Sequence, residues 1–255
     1  MIDPVSGVNH DQDALLIIIA RAPIPGQTKT RLGATIGMRA AATLHEAFIA
    51  DIADCFNPDR LAHPAPFDVI WSHTPASFDF SAYLRGFLPN GSSPVSLAQP
   101  DLSFADRLTW LFHWAVDHGY RRTMIMASDS PHLTVPMLTK GFDLLTRFDI
   151  VLGRVADGGY YVIGMRGVFD ILDQSIMSTC SAADGLIAAA QTFGLSIAEA
   201  EASFDVDTED DLKRLHALLV ADPARAPKTH AALIGLGLLV RWLAPPLSDS
   251  IQNSH

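Results

Sequence analysis

The segment LLIIIARAPIPGQTKTRLG, Leu15–Gly33, joins a short run of branched apolar residues to a loop carrying two prolines, two glycines and three cations. Leu15–Ile19 has the length and composition of a buried strand. Pro23 and Pro25 fix φ and lack a donor N–H, so the ladder cannot continue through them, while Gly26 lets the main chain turn and approach a ligand closely. Such a loop, with Arg21, Lys29 and Arg31, suits a phosphate chain; the alternative is a surface turn whose cations are merely solvated. It is neither a Walker A loop, because no glycine precedes Lys29 at the required spacing, nor a GxGxxG fingerprint. Its meaning depends on the sheet around it, because ligands of open α/β sheets bind beyond the carboxyl ends of the strands.

Working outward, short β-rich runs recur at Phe67–Ser72, Pro94–Ala98, Thr123–Ala127 and Asp149–Gly153. Between them lie stretches with helical spacing. Ala41, Leu44, Phe48 and Ile52 share one side of a helix, as do Leu108, Leu111, Phe112 and Ala115, and Gly119 stands where a C-terminal cap is expected. Strands separated by helices predict an α/β fold, a largely parallel sheet with right-handed crossovers and helices on both faces. Three further segments then fall beside the opening loop on the functional edge: SDSPHL (Ser128–Leu133), RVADGGYYVIGM (Arg154–Met165) and SFDVDTEDDLKRL (Ser203–Leu215).

Bulk properties limit the partners. The chain has 255 residues, 49% of them hydrophobic, and a formal net charge of -10, so a globular enzyme-sized domain is expected and nucleic acid is not. The expected division is a single domain over residues 1–228 and a C-terminal helix and tail over 229–255. Two cysteines, Cys55 and Cys180, lie outside any CxxC pattern, and the polar, acidic N-terminus has no signal-peptide character, which together fit a cytoplasmic protein. The apolar part of Ala231–Pro246 is interrupted at Arg241 and is too short to span a bilayer. It is expected to pack on the body or on a second copy in a homodimer, with peripheral membrane contact as the lesser reading.

Each edge segment admits a chemical role beside a structural one. Asp129 follows a strand directly, and Pro131 fixes it at the strand tip; it suits Mg²⁺, which takes one or two carboxylates, or it caps the helix beginning near Thr134. Asp205 and Asp207 alternate along an extended stretch and point the same way, toward a metal. Thr208 is placed to cap a helix whose first turn holds Glu209, Asp210 and Asp211. Asp157, Gly158 and Gly159 form either a hairpin turn or a close-approach turn where Asp157 accepts hydrogen bonds from a polyol or binds a cation, or both. No GxSxG, HExxH or paired-histidine motif occurs, and His132, close to Asp129, reads as a capping or solvent-facing residue, with substrate contact as the lesser reading.

In this order the four segments resemble the bacterial DUF2064 family, a glycosyltransferase-A-type family associated with radical-SAM and selenium gene clusters. More distantly they resemble 2-phospho-lactate guanylyltransferase and the nucleotide-diphospho-sugar transferase superfamily. The likeness runs from about Leu15 to Leu219. It implies a GT-A fold, a Rossmann-like mixed sheet that binds a nucleotide with Mg²⁺ or Mn²⁺. On this implication Ala20, Arg21, Pro23, Gly26, Lys29, Arg31 and Ser128 hold the nucleotide, Asp129 and Asp207 the metal, and Asp157–Tyr160 the acceptor. Arg154 and Met177 stand where the family usually has proline and tryptophan.

The expected reaction is metal-dependent nucleotidyl transfer from an NTP to a small phosphorylated or phosphonate acceptor. It needs positioning and charge neutralisation, with Lys29, Arg31 and Asp129 as the catalytic groups. Glycosyl transfer from an NDP-sugar is the alternative, disfavoured by Asp-Ser-Pro in place of a DxD motif at the metal strand. A non-catalytic binding module fits the four charged residues least.

Overall fold

The computed structural model describes residues 12–58, 65–173, 181–238 and 242. Met177 and Cys180 lie outside them. A seven-stranded sheet forms the centre, in the order β3-β2-β1-β4-β6-β5-β7. Its strands are β1 (Ala14–Arg21), β2 (Asp68–Thr74), β3 (Ser96–Ala98), β4 (Arg122–Ala127), β5 (Ile150–Arg154), β6 (Tyr160–Met165) and β7 (Ile197–Glu199). The helices are α1 (Thr30–Ile36), α2 (Met38–Cys55), α3 (Phe80–Arg85), α4 (Phe104–Asp117), α5 (Val135–Leu144), α6 (Ala182–Thr192), α7 (Glu209–Ala221) and α8 (Pro227–Gly235).

β1 lies centrally, and its alternation sorts the core. Leu16, Ile18 and Ala20 face a layer with Ile49 and Ile52 of α2 and Leu138 and Phe142 of α5. Leu15 and Ile17 face the opposite layer, with Leu108, Leu111, Phe112 and Ala115 of α4 and Leu186 of α6. Because successive side chains of a strand point to opposite faces, an uninterrupted apolar run is what a strand covered on both sides requires. α2 is itself covered twice: its Leu44 and Phe48 turn away from the sheet into a third cluster with Leu212, Leu215 and Leu219 of α7 and Leu233 of α8.

The sheet is mixed, as the resemblance implies, and one strand departs from parallel pairing. β6 runs antiparallel to both β4 and β5, whereas β1 pairs in parallel with β2 and β4. The cause is local. Asp157-Gly158-Gly159 makes a tight reversal, in which Val155 N–H donates to the Gly159 carbonyl at 3.1 Å and Gly158 takes φ +90°. A turn that short can only join antiparallel neighbours. β6 and β7 extend the strand set expected from the apolar runs.

Two predicted helix ends are realised. Gly119 adopts φ +88° beyond α4. Thr208 and Asp211 form a reciprocal capping box at the start of α7. The C-terminal apolar segment begins as α8, whose first N–H groups are received by Asp51 of α2, at 3.0 Å from Lys228 and 2.7 Å from Thr229. This helix runs across the 228/229 division and packs on the body. No described helix is long and apolar enough to cross a membrane.

Candidate active site

The carboxyl ends of β1 and β4 meet in a pocket of about 390 Å³, within the roughly 300–1,000 Å³ usual for small-molecule sites. Ala20, Arg21, Lys29, Arg31, Ser128, Asp129 and Asp207 all line it.

The loop after β1 folds on itself, with Gln27 N–H donating to the Ile24 carbonyl at 3.0 Å and Gly26 at φ +79°. Arg21 Nη1 braces it by donating to the Gln27 carbonyl at 2.9 Å. The loop ends at Lys29, whose side chain is 4% exposed and reaches across the edge. Its Nζ lies 2.7 Å from Asp129 Oδ1 and 2.8 Å from Asp207 Oδ1. Arg31 is 70% exposed, with Nη1 3.7 Å from Asp207 Oδ2. Burial alone would lower the Lys29 ammonium, but the two carboxylates outweigh it and hold it above its usual value. Burial likewise disfavours the Asp129 carboxylate, and Lys29 and its neighbours reverse this and hold it below the usual range.

Asp129 and Asp207 are brought together by a zipper between two loops. Val206 N–H donates to the Asp129 carbonyl at 3.0 Å, and Ser130 Oγ to the Phe204 carbonyl at 2.8 Å. His132 Nε2 lies 2.9 Å from Ser203 Oγ, and its ring stacks on Phe204 at 4.0 Å, with Arg214 over the same Phe204 ring at 4.0 Å. Asp129 is thus an ion-pair partner rather than a cap; the N-cap of α5 is Thr134. His132 is 2% exposed, which corrects its reading as a solvent-facing residue.

Burial, reinforced by Arg225 and Arg214, pushes His132 down to about 3. The unfolded chain therefore binds more protons at this ring between its ordinary value of 6.5 and about 3. The contribution is intact above that window and is lost as the pH falls through it. His132→Phe keeps the stack on Phe204 and removes the titration. The expected result, from urea melts across the window, is a slope of stability against pH shallower by about one proton; an unchanged slope refutes the assignment.

One central residue escaped the sequence. His45 of α2 is 1% exposed and lines the pocket floor. Its Nδ1 lies 2.8 Å from Thr28 Oγ1 and its Nε2 3.1 Å from Ser128 Oγ and 3.6 Å from Asp129 Oδ1. Burial, with Lys29 and Arg21 nearby, pushes the ring down to about 4, so it ties loop to strand tip as a neutral imidazole. The available signal was its place within the apolar stripe, three residues before Phe48 and four after Ala41. At the other end of the pocket Arg107 Nη1 donates to Gln99 Oε1 at 3.0 Å, and Gln99 Nε2 to the Ser72 carbonyl at 3.0 Å, beside Phe104 and Thr74.

Other predicted site residues stand apart from the pocket lining. Pro23 and Gly26 shape the loop without lining the cavity. Asp205 does not line it either; burial, with the Asp207 charge adding to it, pushes its carboxyl up to about 6. Asp157, Gly158, Gly159 and Tyr160 form the β5–β6 turn on the same sheet edge, where Asp157 Oδ1 receives the Gly159 N–H at 3.1 Å. Arg154 reaches Asp184 at 2.7 Å. Among the described residues no group of three or more His, Cys, Asp or Glu forms a metal centre. Two carboxylates facing one pocket nevertheless match what Mg²⁺ takes from a protein, the rest of its shell being water and substrate phosphate.

A mixed sheet of this order with a polar pocket at the carboxyl ends of its strands defines the class: the fold is that of the nucleotide-diphospho-sugar transferases, and the chain is an enzyme of the transferase kind. Residues 69–179, from β2 past β6, match the family described as "Uncharacterized protein conserved in bacteria (DUF2064)", the same family the four motifs indicate. The chain is similar to a protein from Desulfovibrio desulfuricans G20 assigned as a nucleotide-diphospho-sugar transferase. The two are 26% identical with a TM-score of 0.76, over 91% of this chain and 98% of that one. A cytidylyltransferase from Leptospira borgpetersenii shares the fold at 12% identity and TM-score 0.51, over 96% and 100% of the two chains. So does a Methanothermobacter nucleotidyl transferase, at 13% identity and TM-score 0.52, over 81% and 98%. No curated protein matches the chain.

Proposed function

We propose that this protein is a metal-dependent nucleotidyltransferase that moves a nucleoside monophosphate from an NTP to a small phosphorylated or phosphonate acceptor, releasing pyrophosphate. The observation that carries this reading is the cation-rich loop after β1, closed against Asp129 and Asp207 in one pocket. Lys29, Arg31 and Arg21 would hold the triphosphate and stabilise the departing pyrophosphate, a task of charge neutralisation in a partly dry site. Asp129 and Asp207 would hold Mg²⁺ or Mn²⁺. When bound, the ion supplies charge neutralisation at the reacting phosphate. His45 keeps Thr28 and Ser128 in place without adding charge, and the Asp157–Tyr160 turn, on the same sheet edge, is where an acceptor would stand.

Glycosyl transfer from an NDP-sugar is the second reading, favoured by the likeness to the Desulfovibrio protein. One assay separates them. Purified protein with Mg²⁺ is given each of the four NTPs and a pool of phosphorylated metabolites, and in parallel a set of NDP-sugars. Pyrophosphate release from one NTP supports nucleotidyl transfer; free NDP from an NDP-sugar, without pyrophosphate, overturns it in favour of the second reading.

A further inference from the structure

The position between Asp129 and Asp207 already holds a cation of the chain's own. Lys29 Nζ contacts both carboxylates, at 2.7 and 2.8 Å, and Arg31 approaches Asp207 from its other oxygen at 3.7 Å. Two cations therefore balance two carboxylates, and this pair keeps no net negative charge to attract a divalent ion. An ion bonded to carboxylate oxygens at roughly 2.0–2.1 Å would share those oxygens with a buried ammonium, and two like charges cannot both be favoured there.

The backbone points to the same residue. Lys29 has φ 47° and ψ 43°, and among the described residues it is the one non-glycine with positive φ. Left-handed backbone is unfavourable for an ordinary L side chain and persists where surrounding contacts enforce it. Here the side chain is anchored by the two ion pairs and the Lys29 carbonyl accepts from Gly33 N–H at 2.7 Å at the start of α1, while Gly26, three residues earlier, takes its own positive φ as a glycine can. Lys29 thus joins an unfavourable backbone geometry to a side chain held by the carboxylates that a metal would engage.

We propose that Lys29 is a displaceable internal cation: in the nucleotide-free protein it holds Asp129 and Asp207, and the phosphates of an incoming nucleotide draw its ammonium away and free the carboxylates for a divalent ion. This rests on the metal-dependent reading of the site. It makes nucleotide and metal mutually reinforcing ligands, because whatever removes the lysine from the aspartates raises the affinity of the other partner by the same factor. It also assigns the free enzyme a weak affinity for divalent ions, set by the lysine rather than by any shortage of carboxylate.

The test follows Mn²⁺ on the protein by the relaxation enhancement of water protons, which reads protein-bound ion and needs no turnover. Wild type, Lys29→Met and Lys29→Arg are titrated with Mn²⁺ alone, and wild type again with each of the four NTPs. Circular dichroism and thermal melts establish that the variants are folded. Lys29→Met is expected to bind Mn²⁺ at least tenfold more tightly than wild type, and Lys29→Arg to remain as weak as wild type. Wild type is expected to gain at least tenfold in the presence of one NTP.

Equal Mn²⁺ affinity of folded Lys29→Met and wild type overturns the displacement while leaving the metal-dependent reading intact, provided wild type forms a ternary complex with an NTP. Tight Mn²⁺ binding by nucleotide-free wild type overturns it as well, whatever becomes of the variants. Absence of bound Mn²⁺ in wild type with every NTP sinks the metal-dependent reading, and this inference with it. If Lys29→Met does not fold, the comparison of wild type with and without NTP decides alone: no gain overturns the proposal.

Discussion

Asp129→Asn is expected to lower kcat/KM for nucleotide turnover on the order of 10²- to 10³-fold while leaving the thermal midpoint within a few degrees of wild type. The substitution keeps the shape of the side chain and removes its charge. That charge neutralises Lys29, 2.7 Å away, and on the proposed function it would also offer the strand-tip carboxylate to an ion. The surrounding zipper does not depend on it, since Val206 N–H bonds the main-chain carbonyl of residue 129 and Ser130 bonds that of Phe204. The fold is therefore expected to survive and the chemistry is not. Rates from the pyrophosphate assay decide the matter; a folded Asp129→Asn enzyme within threefold of wild type would show that the residue is a strut.

The second large effect is that of Lys29→Met on phosphate affinity. Charge-assisted hydrogen bonds contribute about 1.5–3 kcal/mol each, so the NTP should bind on the order of 10- to 100-fold more weakly. The corresponding nucleoside, which has no phosphate to meet, should lose little. The comparison belongs in EDTA, by calorimetry with NTP and nucleoside side by side, because the same variant is expected to bind Mn²⁺ more tightly. Opposite signs for the two ligands are what a cation shared between carboxylate and phosphate requires. Equal losses for NTP and nucleoside would mean that the loop has collapsed.

Much of the fold was readable because apolar periodicity is set locally. Leu15–Ile19 is a strand covered on both faces, and the stripes of α2 and α4 are where their spacing puts them. The apolar runs alone suggest parallel pairing, and the antiparallel exception at Tyr160–Met165 is decided by the three-residue reversal before it rather than by the strand's own composition. On the site side, Lys29 in the proline-glycine loop, Asp129 at a strand tip and Asp207 on the extended stretch before the Thr208 cap can each be read in one dimension. Their mutual contact cannot: it depends on hydrogen bonds between residues 128–132 and 203–206, which no spacing encodes. His45 shows the same limit from another direction. A histidine inside an apolar helix stripe looks like a core residue, and only packing against the strand tips reveals that its two nitrogens face Thr28 and Ser128. Asp205 illustrates the converse, since alternation matched it with Asp207 but only Asp207 lines the pocket.

The lysine bridge joins residues separated by 178 positions along the chain. No shorter contiguous piece of the protein contains the site, and no excised peptide can stand in for it. The same fact makes the molecule divisible in a useful way. A break at the turn around Gly119, between α4 and β4, leaves Lys29 on the first fragment and both aspartates on the second. On the proposed function, nucleotide binding is then the expected signal of reassembly, lost from either half and regained when the halves recombine.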